Sequence, residues 1–387
     1  MARPAAFAPR RSDWTARRAR TAVRVGSPDY VLLLAAAAIL TVGLVMILSA
    51  SSVTAGAQFH DPYYFFVRQL MWSAIGLAGF FVAMHIDYHV WRRLAPIGLV
   101  VSFALLTAVL IPGIGRSVSG SRRWLGIGGL AFQPSEVIKL SLVVYISAWL
   151  AGKDQRDMRH FLRGTAPVLG LVALACGLIL AEPDLGTAGA LLATSIVLLY
   201  VAGTPMVQFG AIFGLALPGL ALAIATSHYR RQRFLAFLNP QAHPLSSGYH
   251  ILQSLYALGS GGLFGVGLGH SRQKYFYLPE EHTDFIFAVL GEELGLIGGL
   301  LVLALFAVLI WRGYRAATRA PDLFGCLMAA GITSMLAVQA IVNIGVVTAL
   351  LPITGIPLPM VSFGGSSLVF TMIGLGMLAN ITRQTRA

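Results

Sequence analysis

Ionisable side chains set beside long apolar runs are costly, so they mark the places where this chain could do chemistry. The segment YLPEEHTDFIFAVLGEELG, residues 277–295, puts Asp284 where an apolar run begins. Thr283 or Asp284 could cap a helix there by accepting free backbone N–H groups. A carboxylate in the same place also stays ionised beside a helix N-terminus and points away from the helix. That suits a base that takes a proton from a sugar hydroxyl. Both readings stay open on the residues alone. Glu292 and Glu293, about two turns further along, read as members of ion pairs inside a bundle.

Three other segments carry polar groups at comparable places. In QPSEVIK, residues 133–139, Pro134 and Ser135 make a helix start, and Glu136 and Lys139 share one face. They form a structural salt bridge, position a substrate-binding cation, or both. In AEPDLG, residues 181–186, Glu182 and Asp184 read as turn and cap residues. In LLPITGIPLPMVSFGGSSL, residues 350–368, Pro352, Pro357 and Pro359 with Gly355, Gly364 and Gly365 forbid a continuous helix. Such backbone lines a cavity or turns in a tight hairpin. In the first case, free N–H groups near Ser362, Gly364 and Gly365 could hold an anion. Arg68, in FFVRQLMW, either snorkels to an interface or faces a ligand.

No soluble-enzyme signature accompanies these groups. There is no phosphate-binding loop with lysine, no HExxH and no zinc spacing, so the metal assignment is unknown. GSGGLFGVGLGH, residues 259–270, reads as a flexible or close-packed loop. Cys176 and Cys326 fall in apolar runs and read as small core residues.

The elements that must position these groups are membrane helices. Hydrophobic residues make up 57% of the 387 and charged residues only 11%, well under the roughly 25% of a soluble domain. Ten apolar runs predict helices over 29–50, 66–86, 94–112, 135–151, 165–181, 186–202, 207–226, 284–310, 326–350 and 361–381. The expected architecture is an all-α bundle of about ten transmembrane helices. It comprises a basic tail (1–28, expected to be disordered), one membrane domain (29–382) and a short end (383–387). A long extracytoplasmic loop, 227–283, lies between the seventh and eighth runs. The first run is too long and too late to read as a cleaved signal peptide.

Basic residues set the expected orientation. Arg3, Arg10, Arg11, Arg17, Arg18, Arg20 and Arg24 share a side with Arg92, Arg93, Lys153, Arg156, Arg159, Arg163, Arg312, Arg315, Arg319, Arg383 and Arg386. That side reads as cytoplasmic, with both termini on it. Topology thus accounts for the net charge of +13 without nucleic acid. The outer side nevertheless holds Arg116, Arg122, Arg123, Arg230, Arg231, Arg233, Arg272 and Lys274. They meet lipid headgroups or a phosphate-bearing ligand, whose oxygens arginine can grip with two donors.

The motifs GLVMILSASS (43–52), GSRRWLGIGGLAFQPSEVIK (120–139), EPDLGTA (182–188), the stretch 237–295 and LPITGIPLPMVSFGGSS (351–367) occur in one order. With these the chain resembles the SEDS proteins of shape, elongation, division and sporulation, from about Asp29 to Thr382. It is most similar to the cell-division or sporulation members, less to the elongation member. His250 stands where such proteins usually carry Gln, Glu281 where Ala is common and Phe363 where Tyr is usual.

The resemblance implies a peptidoglycan glycosyltransferase in the bacterial cytoplasmic membrane, active at its outer face in cell division. The acceptor is lipid II. The donor is a glycan on undecaprenyl pyrophosphate, attacked at its anomeric carbon with inversion. Asp284 falls on the family's essential Asp, Glu136 and Lys139 on its Glu and Lys, and Arg68 on its RQ pair. Charge and side suggest Arg122, Arg123, Arg272 and Lys274 for the phosphates. The implied partners are a class B penicillin-binding protein, a transpeptidase, and other division proteins. The resemblance also allows a divalent cation, Mg or Mn, at the pyrophosphate. Two rival functions remain: a flippase for lipid-linked sugars and a non-catalytic division scaffold.

Overall fold

Backbone in hydrocarbon must close its own hydrogen bonds, and a helix is how one segment does so. The computed structural model describes residues 26–118, 121–127 and 130–384. Its helices are α1 (Tyr30–Phe59), α2 (Tyr64–His85), α3 (Tyr88–Leu110), α4 (Pro134–Ala151), α5 (Gln155–Arg159), α6 (Ala166–Ala181), α7 (Leu185–Val201), α8 (Met206–Ala225), α9 (His228–Leu238), α10 (Tyr249–Gly261), α11 (Ile286–Arg319), α12 (Leu323–Val347) and α13 (Gly365–Gln384). Among the described residues nine helical segments are long and apolar enough to cross a membrane, and α7 is a shorter apolar helix. The chain is therefore a helical membrane bundle of about ten spans. The arginines up to Arg24, and Arg386, lie outside the described residues.

α12 and α13 form the centre. Both are buried along most of their length, α12 against α4, α7 and α11, and α13 against α2. α12 can sit there because its sequence is apolar nearly all round. Its buried polar residues include Thr333 and Ser334, and Gln339 and Asn343, which lie one turn apart. α8, by contrast, leaves most of its surface exposed.

The connections are more structured than the sequence suggests. Residues read as a loop before α4 form an antiparallel sheet of β1 (Gly115–Val118), β2 (Ser121–Ile127) and β3 (Leu130–Phe132), in the order β1-β2-β3. Arg116 pairs with Trp124 and Leu125 with Phe132. The segment 227–283 contains α9, a single 3-10 turn (Pro240–Ala242) and α10, which packs along α11.

α11 does not run unbroken. Gly295 adopts φ 67° and ψ −168°, a conformation essentially confined to glycine. The glycine-rich strand of chain at 262–267 inserts at this break and takes the freed hydrogen bonds. Leu296 N donates to Gly262 O at 2.9 Å, and Ile297 N donates to Leu263 O at 3.2 Å. In return Val266 N and Gly267 N donate to Glu292 O and Glu293 O, each at 3.0 Å. The two carboxylates beside the break are also occupied. Glu292 accepts from Ser271 Oγ at 2.5 Å and Arg272 N at 3.0 Å. Glu293 accepts from Ser49 Oγ at 2.7 Å and lies 3.6 Å from Lys274 Nζ. Here 259–270 is close-packed chain that completes a helix.

At the far end of α11, Arg312 grips Asp29 with two 2.7 Å hydrogen bonds, tying the start of α1 to α11. The rise of a helix puts Arg312 roughly 40 Å from Ile286, enough to cross the bilayer core.

Replacing Gly295 by alanine is expected to lower stability by at least about 2 kcal/mol, read as a lower Tm in detergent. A Cβ there would fall 2.4 Å from Gly265 N and 2.5 Å from Leu263 O, both backbone atoms that cannot swing aside.

Candidate active site

Four helices, α4, α7, α11 and α13, begin at the same end of the bundle, around one cavity. The cavity is about 320 Å³ and is lined by Gln133 before α4, Glu136 of α4, Asp184 at the start of α7, Asp284 before α11 and Ser366 of α13. Helix N-termini carry partial positive charge, so their convergence favours anions there. Arg123 of β2 and Arg230 and Arg233 of α9 complete the basic wall.

Asp284 is half-buried in that wall. Neither it nor Thr283 caps α11: the cap residue is Phe285, with no side-chain hydrogen bond, and Thr283 Oγ1 donates to Glu280 Oε2 at 2.7 Å. The carboxylate is thus left to the cavity. Burial pushes its pKa up to about 7; Glu280 and Asp184 add to the rise, while Arg233 and Arg123 oppose it. Gly355, at φ 75°, faces it closely: a Cβ there would lie 3.6 Å from Asp284 Oδ2.

The 181–186 turn is built onto β2. Arg123 donates from Nε to Glu182 O at 2.8 Å and from a terminal nitrogen to Pro183 O at 2.6 Å. Asp184 caps α7 by accepting from Thr187 N at 3.0 Å, and lies 3.7 Å from Arg123. Glu182 is enclosed with both carboxyl oxygens unpartnered among the described residues, and burial, with Asp184 beside it, pushes its pKa up to about 8. Arg123 opposes that rise.

The non-helical segment 350–364 is held by buried side chains. Gln69 Nε2 donates to Ser362 O at 3.3 Å, and Gln69 Oε1 accepts from Gly364 N at 3.4 Å. Phe363 N donates to His282 O at 2.9 Å. Glu136 and Lys139 form a buried 2.7 Å ion pair, and Lys139 Nζ donates onward to Gln339 Oε1 at 3.3 Å. Thr54 Oγ1 donates to Glu281 Oε1 at 2.5 Å, so the carboxyl group at this position has a partner on α1.

The structure gathers some of the residues singled out from sequence and separates others. Asp284, Arg123, Glu136 and Gly364 line the cavity; Lys139 stands behind Glu136. Arg122 is exposed and off the lining, because successive residues of a strand face opposite ways. Arg68 is exposed and stacks over Tyr64 at 4.9 Å, while its neighbour Gln69 reaches the site. Arg272 is exposed, and Lys274 is tied to Gly269 O at 2.6 Å beside Glu293, so neither is on the lining. Ser362 faces inward and its Oγ accepts from Leu358 N at 2.8 Å; Gly365 gives room to Trp72.

Arg230 and Arg233 entered the sequence reading only as members of the outer cation set. Their spacing within HYRRQRFLAFL puts them on one helical face, with Arg231 turned away and exposed. That spacing was the available signal. Arg230 Nε and Thr354 Oγ1, both on the lining, have no hydrogen-bond partner among the described residues. Among the described residues no three Asp, Glu, His or Cys side chains converge into a metal-binding group.

Fold and site thus define a polytopic membrane protein with a basic, carboxylate-bearing cavity at one end of its bundle. The chain belongs to the family described as cell cycle protein (FtsW, RodA and SpoVE), whose model it matches over residues 30–387. It is 48% identical to stage V sporulation protein E of Bacillus subtilis (strain 168), over 93% of this chain and 98% of that one. It is 44% identical to the probable peptidoglycan glycosyltransferase FtsW of Geobacter sp. (strain M18), over 94% and 99% of the two chains. The fold is shared with solved structures. One, described as "Structural coordination of polymerization and crosslinking by a peptidoglycan synthase complex", has TM-score 0.75 and 31% identity, over 92% of this chain and 98% of that one. The rod shape determining protein RodA of Thermus thermophilus has TM-score 0.67 and 30% identity, over 93% and 98%.

The carboxyl stretch of protonated Asp284, followed by infrared difference spectroscopy, is expected to vanish as pH rises through about 7. Glu280→Gln should move that midpoint down and Arg233→Ala should move it up, since the first removes a like charge and the second an opposite one.

Proposed function

We propose that this chain is a peptidoglycan glycosyltransferase that polymerises lipid II at the outer face of the cytoplasmic membrane. The observation that carries this is the Asp284 carboxyl group, set in a cavity wall beside Arg123, Arg230 and Arg233 with its pKa near 7. A base works best when its pKa lies near the working pH. In this reading Asp284 removes the proton from the acceptor's sugar hydroxyl as that oxygen attacks the donor's anomeric carbon. The carbon inverts, its bond to the diphosphate oxygen breaks, and the lipid-linked diphosphate leaves. Arg230 and Arg233, with the field of Arg123 and the four helix N-termini, stabilise the charge that gathers on it.

The names of the relatives support the enzyme class, and the sporulation and FtsW relatives support a role in division or sporulation over elongation. Orientation is supported by the spread of cations. Arg92, Arg93, Arg312 and Arg319 fall at the end of the bundle opposite Asp284, which suits the cytoplasmic side. A crosslinking partner, a class B penicillin-binding protein, is supported by the synthase complex of the same fold. Glu136, Asp184, Glu280 and Asp284 line the cavity, and carboxylates there could share Mg or Mn with a substrate diphosphate; no step is routed through a divalent cation.

Asp284→Asn is expected to abolish glycan polymerisation from lipid II by the purified protein with its transpeptidase, while substrate binding survives. Wild-type kcat/KM should fall on the acid side of about pH 7, where Asp284 takes up its proton. Normal polymerisation by the variant would remove Asp284 as the base. A parallel assay of lipid II translocation in liposomes separates polymerase from flippase: loss of polymerisation with no translocation by either protein supports the enzyme.

A further inference from the structure

Asn343 sits on α12, the buried central helix, four residues after Gln339, the acceptor for Lys139. Its side-chain amide makes two hydrogen bonds, both to main-chain carbonyls of cavity-lining segments. Nδ2 donates to Asp284 O at 2.8 Å and to Ile356 O at 2.8 Å. An amide NH2 has two protons, so both are spent. The opposite amide rotamer would aim Oδ1 at two carbonyl oxygens, which fixes the orientation. Oδ1 itself is buried with no partner among the described residues. The group is therefore kept for its donors.

The first bond matters because of how α11 starts. In a regular helix the Asp284 carbonyl would accept from Ala288 N, four residues on. Here Ala288 N donates instead to Phe285 O at 2.9 Å. The Asp284 peptide thus lies outside the helix ladder, and Asn343 meets its carbonyl. The second bond holds the residue next to Gly355, the wall that faces Asp284 Oδ2. One side chain thus sets two surfaces against each other, the backbone that carries the carboxyl group and the backbone that confines it.

We propose that Asn343 is a positioning residue for the glycosyl transfer: its amide fixes the peptide of Asp284 against the Ile356 segment. The carboxylate is thereby kept both aimed at the acceptor hydroxyl and shielded from water. The inference rests on the role given to Asp284 above. Asn343 touches neither substrate nor reacting atoms, so its removal should act on turnover more than on binding.

Two variants test this in the full chain with its transpeptidase: Asn343→Ala, which removes the donors, and Asn343→Asp, which keeps the shape and replaces NH2 by oxygen. Each is checked for a monodisperse, cooperatively melting protein and assayed beside Asp284→Asn. The expected result is a fall in kcat of about tenfold or more with KM for lipid II within about threefold, since misplacement without lost contacts affects the transition state most. The acid limb of the kcat profile should also move to lower pH in Asn343→Ala, because a released carboxyl group gains water and its pKa falls. A merely structural loss would leave that limb in place. Folded variants with unchanged kcat and unchanged acid limb, beside an inactive Asp284→Asn, would overturn the positioning role and leave the base intact. An active Asp284→Asn would overturn the base itself. If neither Asn343 variant folds, the amide is a stability element and the proposal falls.

Discussion

Backbone that leaves a helix inside a membrane bundle must find hydrogen-bond partners within the protein, and the rest of this structure depends on how that demand is met. Among the described residues it is met in different ways at Gly295 and at 350–364. At Gly295 the partner is other backbone: residues 262–267 take the groups that α11 releases. At 350–364 the partners are side chains of buried helices. Gln69 and Asn343 reach in from α2 and α12, and Ser362 folds back on Leu358 N. These residues hold the non-helical wall by hydrogen bonds from within the protein.

That wall is what makes a chemically useful cavity possible. Four helix starts, three arginines and four carboxylates meet there. Burial raises the cost of charge and Glu280 and Asp184 add to it, so Asp284 is driven toward neutrality while Arg233 and Arg123 pull it back. The balance leaves the carboxyl group poised near neutral pH. The same low-dielectric setting makes every fixed cation count for more than it would in water.

The polar pairs elsewhere have a different task. Glu293 with Lys274 and Ser49 fastens α11 to α1 and to the inserted loop. Arg312 with Asp29 fastens the opposite end. Breaking either would leave a charge enclosed without its partner, which is why such pairs come as complete sets. The sequence marked Glu292 and Glu293 as bundle ion-pair members; Glu293 does pair with Lys274, whereas Glu292 is held instead by hydrogen bonds from Ser271 Oγ and Arg272 N.

The sequence by itself determined the ten apolar helices, the break at 350–368 and the place of Asp284 just before one of those helices. Each of these rests on local physics: run length against bilayer thickness, proline and glycine against helix continuity, and the cost of a carboxylate beside hydrocarbon. Only the tertiary structure decided which cations meet Asp284. Arg122 and Arg123 are neighbours in sequence, yet the strand sends them to opposite faces, and an amphipathic helix far along the chain brings in Arg230 and Arg233. Asn343 gave no sign in the sequence and Gln69 entered only as the neighbour of Arg68 in the RQ pair, because a buried amide is defined by the carbonyls it finds, and those lie on segments that meet only when the bundle has formed.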